Sequence, residues 1–152
     1  MKMKKSRICF MSLISVIMSV LCFSCKEEVD CEGCGSMDFV EYTEAKTFYD
    51  TYVSYTGLKA LIDTREKSKY DAGHLEGAVN LPADNVNTAN DNAQWCQDLL
   101  ASFPTNTCLF FYGTTSFQMT KAVAGRASRL GYGTEKSRIF SRGYDELKAI
   151  WK

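Results

Sequence analysis

Five consecutive residues, Cys108-Leu109-Phe110-Phe111-Tyr112, carry no charge and stand between Thr107 and Gly113. In an extended strand alternate side chains point to opposite faces, so an unbroken apolar run leaves neither face for water. Such a strand fits the interior of a parallel sheet covered on both sides, and parallel strands need crossover connections, usually helices. The rest of the chain supplies these pieces. Ala60-Leu61-Ile62-Asp63, following Gly57 and Leu58, reads as a strand, as do Ala78-Val79-Asn80-Leu81 before Pro82 and Arg138-Ile139-Phe140. Ala45, Phe48, Tyr49, Tyr52 and Val53 recur at helical spacing, with Thr43 placed to cap the first turn. The Asn- and Asp-rich stretch from Ala83 to Asn92 favours turns, and Trp95 to Phe103 offers a helix with Trp95, Leu99 and Leu100 on one side. Met119, Ala122, Val123, Ala127 and Leu130 define another, with Gly131 placed after its C-cap, and Leu147, Ile150 and Trp151 a last one. Strands alternating with helices predict an α/β domain with a parallel sheet. Ligands of such sheets bind beyond the carboxyl ends of the strands, which selects the segment after Tyr112.

The N-terminus speaks of address. Lys2, Lys4, Lys5 and Arg7 precede Ile8 to Phe23, which is apolar apart from three serines, the layout of a signal peptide. As a helix this apolar stretch reaches only about 24 Å against a hydrocarbon core of about 30 Å, so a permanent spanning helix is the weaker reading. Leu21-Cys22-Phe23-Ser24-Cys25, followed by Lys26, Glu27, Glu28 and Asp30, resembles a bacterial lipobox, with Cys22 where leucine is preferred. The resemblance implies a diacylglycerol on Cys25 and cleavage before it; a plain secreted protein cut nearby is the alternative. Lys26-Glu27-Glu28 is similar to a signal that sends some lipoproteins to the cell surface. The expected location is the cell envelope, lipid-anchored at the outer membrane, with the periplasmic and surface faces both open. The expected division is a signal peptide over 1–24, a polar tether over 25–38 and one domain over 39–152. Removing residues 1–24 takes four of the 18 basic residues and none of the 18 acidic ones, which leaves a net charge near −4. No basic stripe remains, so a nucleic-acid partner is not expected.

Leu61-Ile62-Asp63-Thr64-Arg65, followed by Tyr70-Asp71-Ala72-Gly73-His74-Leu75-Glu76-Gly77-Ala78-Val79-Asn80-Leu81-Pro82, resembles the first signature of rhodanese-like domains. Leu109 through Gly131 resembles their active-loop strand and following helix, and Ser141-Arg142-Gly143-Tyr144 through Trp151 their closing glycine turn and tryptophan. The resemblance implies a single α/β domain with a central parallel sheet of about five strands flanked by helices. It also implies structural roles for Asp63, Arg65, Gly73, His74, Gly77, Asn80 and Pro82; Asp63 and Arg65 are expected to pair across the turn. Sulfur transfer in this family uses a thiolate at the start of the loop after the central strand. The residue expected there is Tyr112, followed by Gly113, Thr114, Thr115, Ser116, Phe117 and Gln118, and no cysteine occurs after Cys108. No catalytic residue is therefore assigned. The loop still offers hydroxyls and a helix N-terminus, which suits a small anion or merely caps the helix.

After cleavage the cysteines would be Cys25, Cys31, Cys34, Cys96 and Cys108. With Cys25 acylated, the chain favours pairing Cys31 with Cys34 and Cys96 with Cys108 in an oxidising compartment. Cys31-Glu32-Gly33-Cys34 has the spacing of a redox pair or half a zinc site, but no second ligand pair accompanies it, so no metal or cofactor is expected. Three readings stand: a tethered, non-enzymatic module for a small anion or protein partner; a thiol or persulfide exchange enzyme using Cys31 and Cys34; and a scaffold without ligand.

Overall fold

The computed structural model describes residues 39–83, 89–115 and 118–152. The elements are β1 (Val40–Tyr42), α1 (Ala45–Ser54), β2 (Lys59–Asp63), α2 (Lys67–Ala72), β3 (Ala78–Asn80), α3 (Ala89–Ser102), β4 (Cys108–Tyr112), α4 (Gln118–Ala127), β5 (Ser137–Phe140) and α5 (Tyr144–Lys148). A π-helical turn, Ser128–Tyr132, and a 3-10 turn, Thr134–Lys136, lead from α4 into β5. The five strands form one sheet in the order β1-β5-β4-β2-β3, with every pairing parallel.

The expected buried strand is the central one. Every residue of β4 is fully buried, and its alternation divides the core. Leu109 and Phe111 join Ala60, Ile62 and Ile139 of the sheet on one face, under Trp95, Cys96 and Leu99 of α3 and Val123, Ala124 and Ala127 of α4. Cys108, Phe110 and Tyr112 lie on the other, with Leu61, Phe140, Phe48 of α1 and Leu147 of α5. Right-handed crossovers require this division. From β3 to β4 and from β4 to β5 the chain moves one way along the sheet, which sends α3 and α4 to one face; from β1 to β2 it moves the other way, which sends α1 to the opposite face.

The division corrects one expectation. Cys96 and Cys108 are both buried, and they belong to opposite faces of the sheet, so no disulfide joins one to the other. Thr43 also does not cap α1: the N-cap position falls on Glu44, which makes no side-chain capping bond. Gly131 takes the positive φ expected of it, 103°, but inside the π-helical turn rather than directly after α4, which ends at Ala127. At the C-terminus α5 stops at Lys148, yet Trp151 donates its backbone N–H to the Leu147 carbonyl at 2.9 Å and its ring packs on Tyr49 and Tyr52, both at 5.1 Å.

Candidate functional site

The site lies where the chain leaves β2 and β4, at the carboxyl edge of the sheet. Asp63 ends β2, fully buried, and a buried carboxylate needs partners. Arg65 supplies them through its backbone N–H at 2.9 Å, its Nε at 3.0 Å to each oxygen and its Nη2 at 2.6 Å. Nη2 also donates to the Gly73 carbonyl at 2.7 Å, which ties the turn after α2 to the strand end. Asn80 Nδ2 donates to the carbonyls of Asp63 at 3.1 Å and Arg65 at 2.9 Å. The expected pairing across this turn is present, and the guanidinium is nine-tenths buried. His74 stands apart from it: exposed, its ring stacks on Tyr70 at 3.9 Å with Nδ1 3.0 Å from the Tyr70 carbonyl.

Tyr112, the last residue of β4, turns its ring into the core rather than outward. Its hydroxyl accepts the Leu75 N–H at 3.2 Å, and its ring stacks on Tyr144, 6.1 Å away at 23°. Burial, aided by the neighbouring Asp63 carboxylate, pushes the phenol well above its usual pKa, so it stays protonated. The Arg65 guanidinium lies 3.7 Å from the Tyr144 ring centroid, a cation held against an aromatic face.

Gly113 opens the loop, and its surroundings explain the missing side chain. Thr64 Oγ1 donates to the Tyr112 carbonyl at 3.0 Å and shares a hydrogen bond with Thr120 Oγ1 at 3.1 Å. A Cβ at position 113 would stand 2.6 Å from Thr64 Oγ1 and closer still to Thr120 Oγ1, both on buried residues. From the other side Tyr144 donates its N–H to the Gly113 carbonyl at 2.9 Å. Gly143 has φ 94°, a conformation other residues avoid, and a Cβ there would come 2.9 Å from the Thr115 nitrogen. The loop is thus packed directly against the turn that starts α5.

A cleft of about 250 Å³ remains beside it, lined by Arg65, Lys69, Thr114, Thr115, Tyr144 and Asp145. Of the expected loop residues, Thr114 and Thr115 line this cleft, while Tyr112 lies in the core and Gln118 begins α4. Ser116 and Phe117 lie outside the described residues, as do Cys25, Cys31 and Cys34. Lys69 and Asp145 were not anticipated; each is one charged residue among many, and no sequence pattern marks them. Among the described residues no group of three or more His, Cys, Asp or Glu side chains could hold a metal ion, and no helix is long and apolar enough to cross a membrane.

Cys108 stands away from the loop. It begins β4, four residues before Tyr112 and about 13 Å back along the strand. Burial pushes its thiol above the usual pKa, against the opposing pull of Arg138.

This chain is similar to known proteins of solved structure. A rhodanese-like domain from Anabaena is 18% identical, with 71% of this chain and 73% of that one covered and a TM-score of 0.51. A human single-domain sulfurtransferase is 20% identical, covered over 78% and 100%, with a TM-score of 0.47. No curated protein matches the sequence at a significant level. The family model for the rhodanese-like domain matches residues 49–150, from within α1 to the turn after α5. With that span taking in β2 to α5 and the whole of the site, the chain belongs to the rhodanese-like domain family.

Proposed function

We propose that this protein is a membrane-anchored rhodanese-like domain that does not transfer sulfur and serves as a binding module for a small anion or a protein partner carrying one. The supporting observation is the end of β4. Sulfur transfer needs a thiolate facing the loop, and a buried thiol or phenol cannot provide one. Here Tyr112 is a protonated phenol inside the core, and Gly113 is closed to any side chain. Cys96 and Cys108, the described cysteines, are buried within the two halves of the core. What borders the cleft instead is binding chemistry: Lys69, Arg65 and Asp145, with Thr114 and Thr115.

The test is thiosulfate:cyanide sulfurtransferase activity of the full chain, expected to equal that of a heat-denatured control. Turnover clearly above that control would overturn the reading. The anchor rests on the lipobox-like Leu21 to Cys25 segment. Cys25→Ser is expected to move the protein from the membrane fraction to the soluble one, and a wild-type chain already soluble after export would exclude the anchor.

A further inference from the structure

We propose that the cleft accepts a small zwitterion of amino-acid size, its anionic group held by Lys69 and Arg65 and its ammonium by Asp145. This rests on the binding-module reading and deepens it by naming the ligand class.

Three charged side chains line the cleft, and they are not of one sign. Arg65 spends Nε and Nη2 on Asp63 and Gly73, and Nη1 has no hydrogen-bond partner among the described residues. Being nine-tenths buried, it presents that remaining corner from a fixed position. Among the described residues Lys69 pairs only with Glu66, 3.6 Å away with both side chains about half exposed, a pair too weak to hold the ammonium from a ligand. Asp145 makes no ion pair among the described residues, and none joins it to Lys69 across the shared cleft. Opposite charges that border one space without meeting leave room for a ligand carrying both.

The alternatives fit less well. A bare anion meets the Asp145 carboxylate, and a bare cation meets Lys69 and Arg65; like charges placed together cost binding energy. The volume, about 250 Å³, is below the range typical of drug-sized sites and suits a ligand of amino-acid dimensions. Thr114 and Thr115 hydroxyls can donate or accept, so they serve either end of such a ligand. Arg65 lies over one face of the Tyr144 ring at 3.7 Å, and Asp145 is the carboxylate that borders the cleft and can pair with the ammonium.

The matched probes are L-alanine and propionate, which differ only in the ammonium, with inorganic sulfate as a third. The full chain in mild detergent is titrated with each, and the amide resonances of Thr114, Thr115 and Tyr144 are followed. Alanine is expected to bind about tenfold tighter than propionate, the scale of one charge-assisted hydrogen bond. Asp145→Asn should bring the two to parity with the spectrum otherwise native, and Lys69→Met should weaken both. Equal affinity of the wild type for alanine and propionate, or a preference that survives Asp145→Asn, would overturn the zwitterion and leave anion binding standing. If none of the three probes, sulfate included, moves these amides, the small-anion reading of the binding module fails with it.

Discussion

Tyr112 shows how the chemistry of one side chain sets its place in the core. A phenol has an apolar body suited to the core, and Tyr112 turns inward into the cluster that holds Phe110, Leu75 and Tyr144. Its hydroxyl then becomes the acceptor for the Leu75 N–H, a donor that is otherwise buried without a partner. Tyr112→Phe keeps the ring and removes that acceptor. It is expected to lower stability by about 1–3 kcal/mol, the cost of an unsatisfied buried group, as a shift in the urea unfolding midpoint. An unchanged midpoint would show that the contact contributes nothing. At this scale the sequence was partly legible. Asp63 and Arg65 could be paired from their spacing because both lie on one short turn, whereas the cleft draws Lys69 from α2 and Asp145 from α5, two elements 75 or so residues apart whose meeting depends on sheet order.

Elements were legible in proportion to their burial. The run from Cys108 to Tyr112 could only be a two-faced buried strand, and it is the centre of the sheet. By contrast β1 is a three-residue edge strand with no buried residue, and α2 is a six-residue helix with none, so neither carries an apolar period to read. The Cys96 and Cys108 pairing failed for a related reason. Strand alternation puts Cys108 with Phe110 and Tyr112, but which face α3 covers follows from crossover direction, a property of sheet order and not of local pattern. The same asymmetry predicts mutational cost. Phe110 is fully buried and meets Phe48 and Tyr52 edge to face at 5.6 and 5.2 Å, so Phe110→Ala is expected to cost about 3–5 kcal/mol. Val53, on the helix that covers the same face, is 55% exposed, and Val53→Ala should stay within about 0.5 kcal/mol. Comparable costs for the two, measured by the same urea titration, would contradict the placement of β4 at the core.

At the scale of the whole molecule the two halves of the core share one sheet, and each half contains a buried tyrosine whose ionisation folding opposes. Tyr112 lies on the α1 and α5 face; Tyr132 lies on the α3 and α4 face, where its hydroxyl donates to the Phe103 carbonyl at 2.6 Å. Burial raises both phenols, and pushes Tyr132 up to about 12. A folded pKa above the unfolded value of about 10 means that the native state keeps its proton longer than the unfolded chain does. The stability from each phenol is therefore intact below about pH 10 and is lost as pH rises through the folded pKa. Because every strand contributes to a core reaching across the sheet, weakening either face should unfold both in one transition. Urea midpoints measured by circular dichroism are expected to hold steady from about pH 7 to 9 and then fall steeply toward pH 11. Tyr132→Phe, although weaker at neutral pH by one buried hydrogen bond, should show a shallower fall, because one of the groups that titrate there is gone. If the variant and the wild type lose stability with the same slope, the alkaline sensitivity comes from the other buried groups, Tyr112 among them, and the phenol on the α3 and α4 face has no part in it.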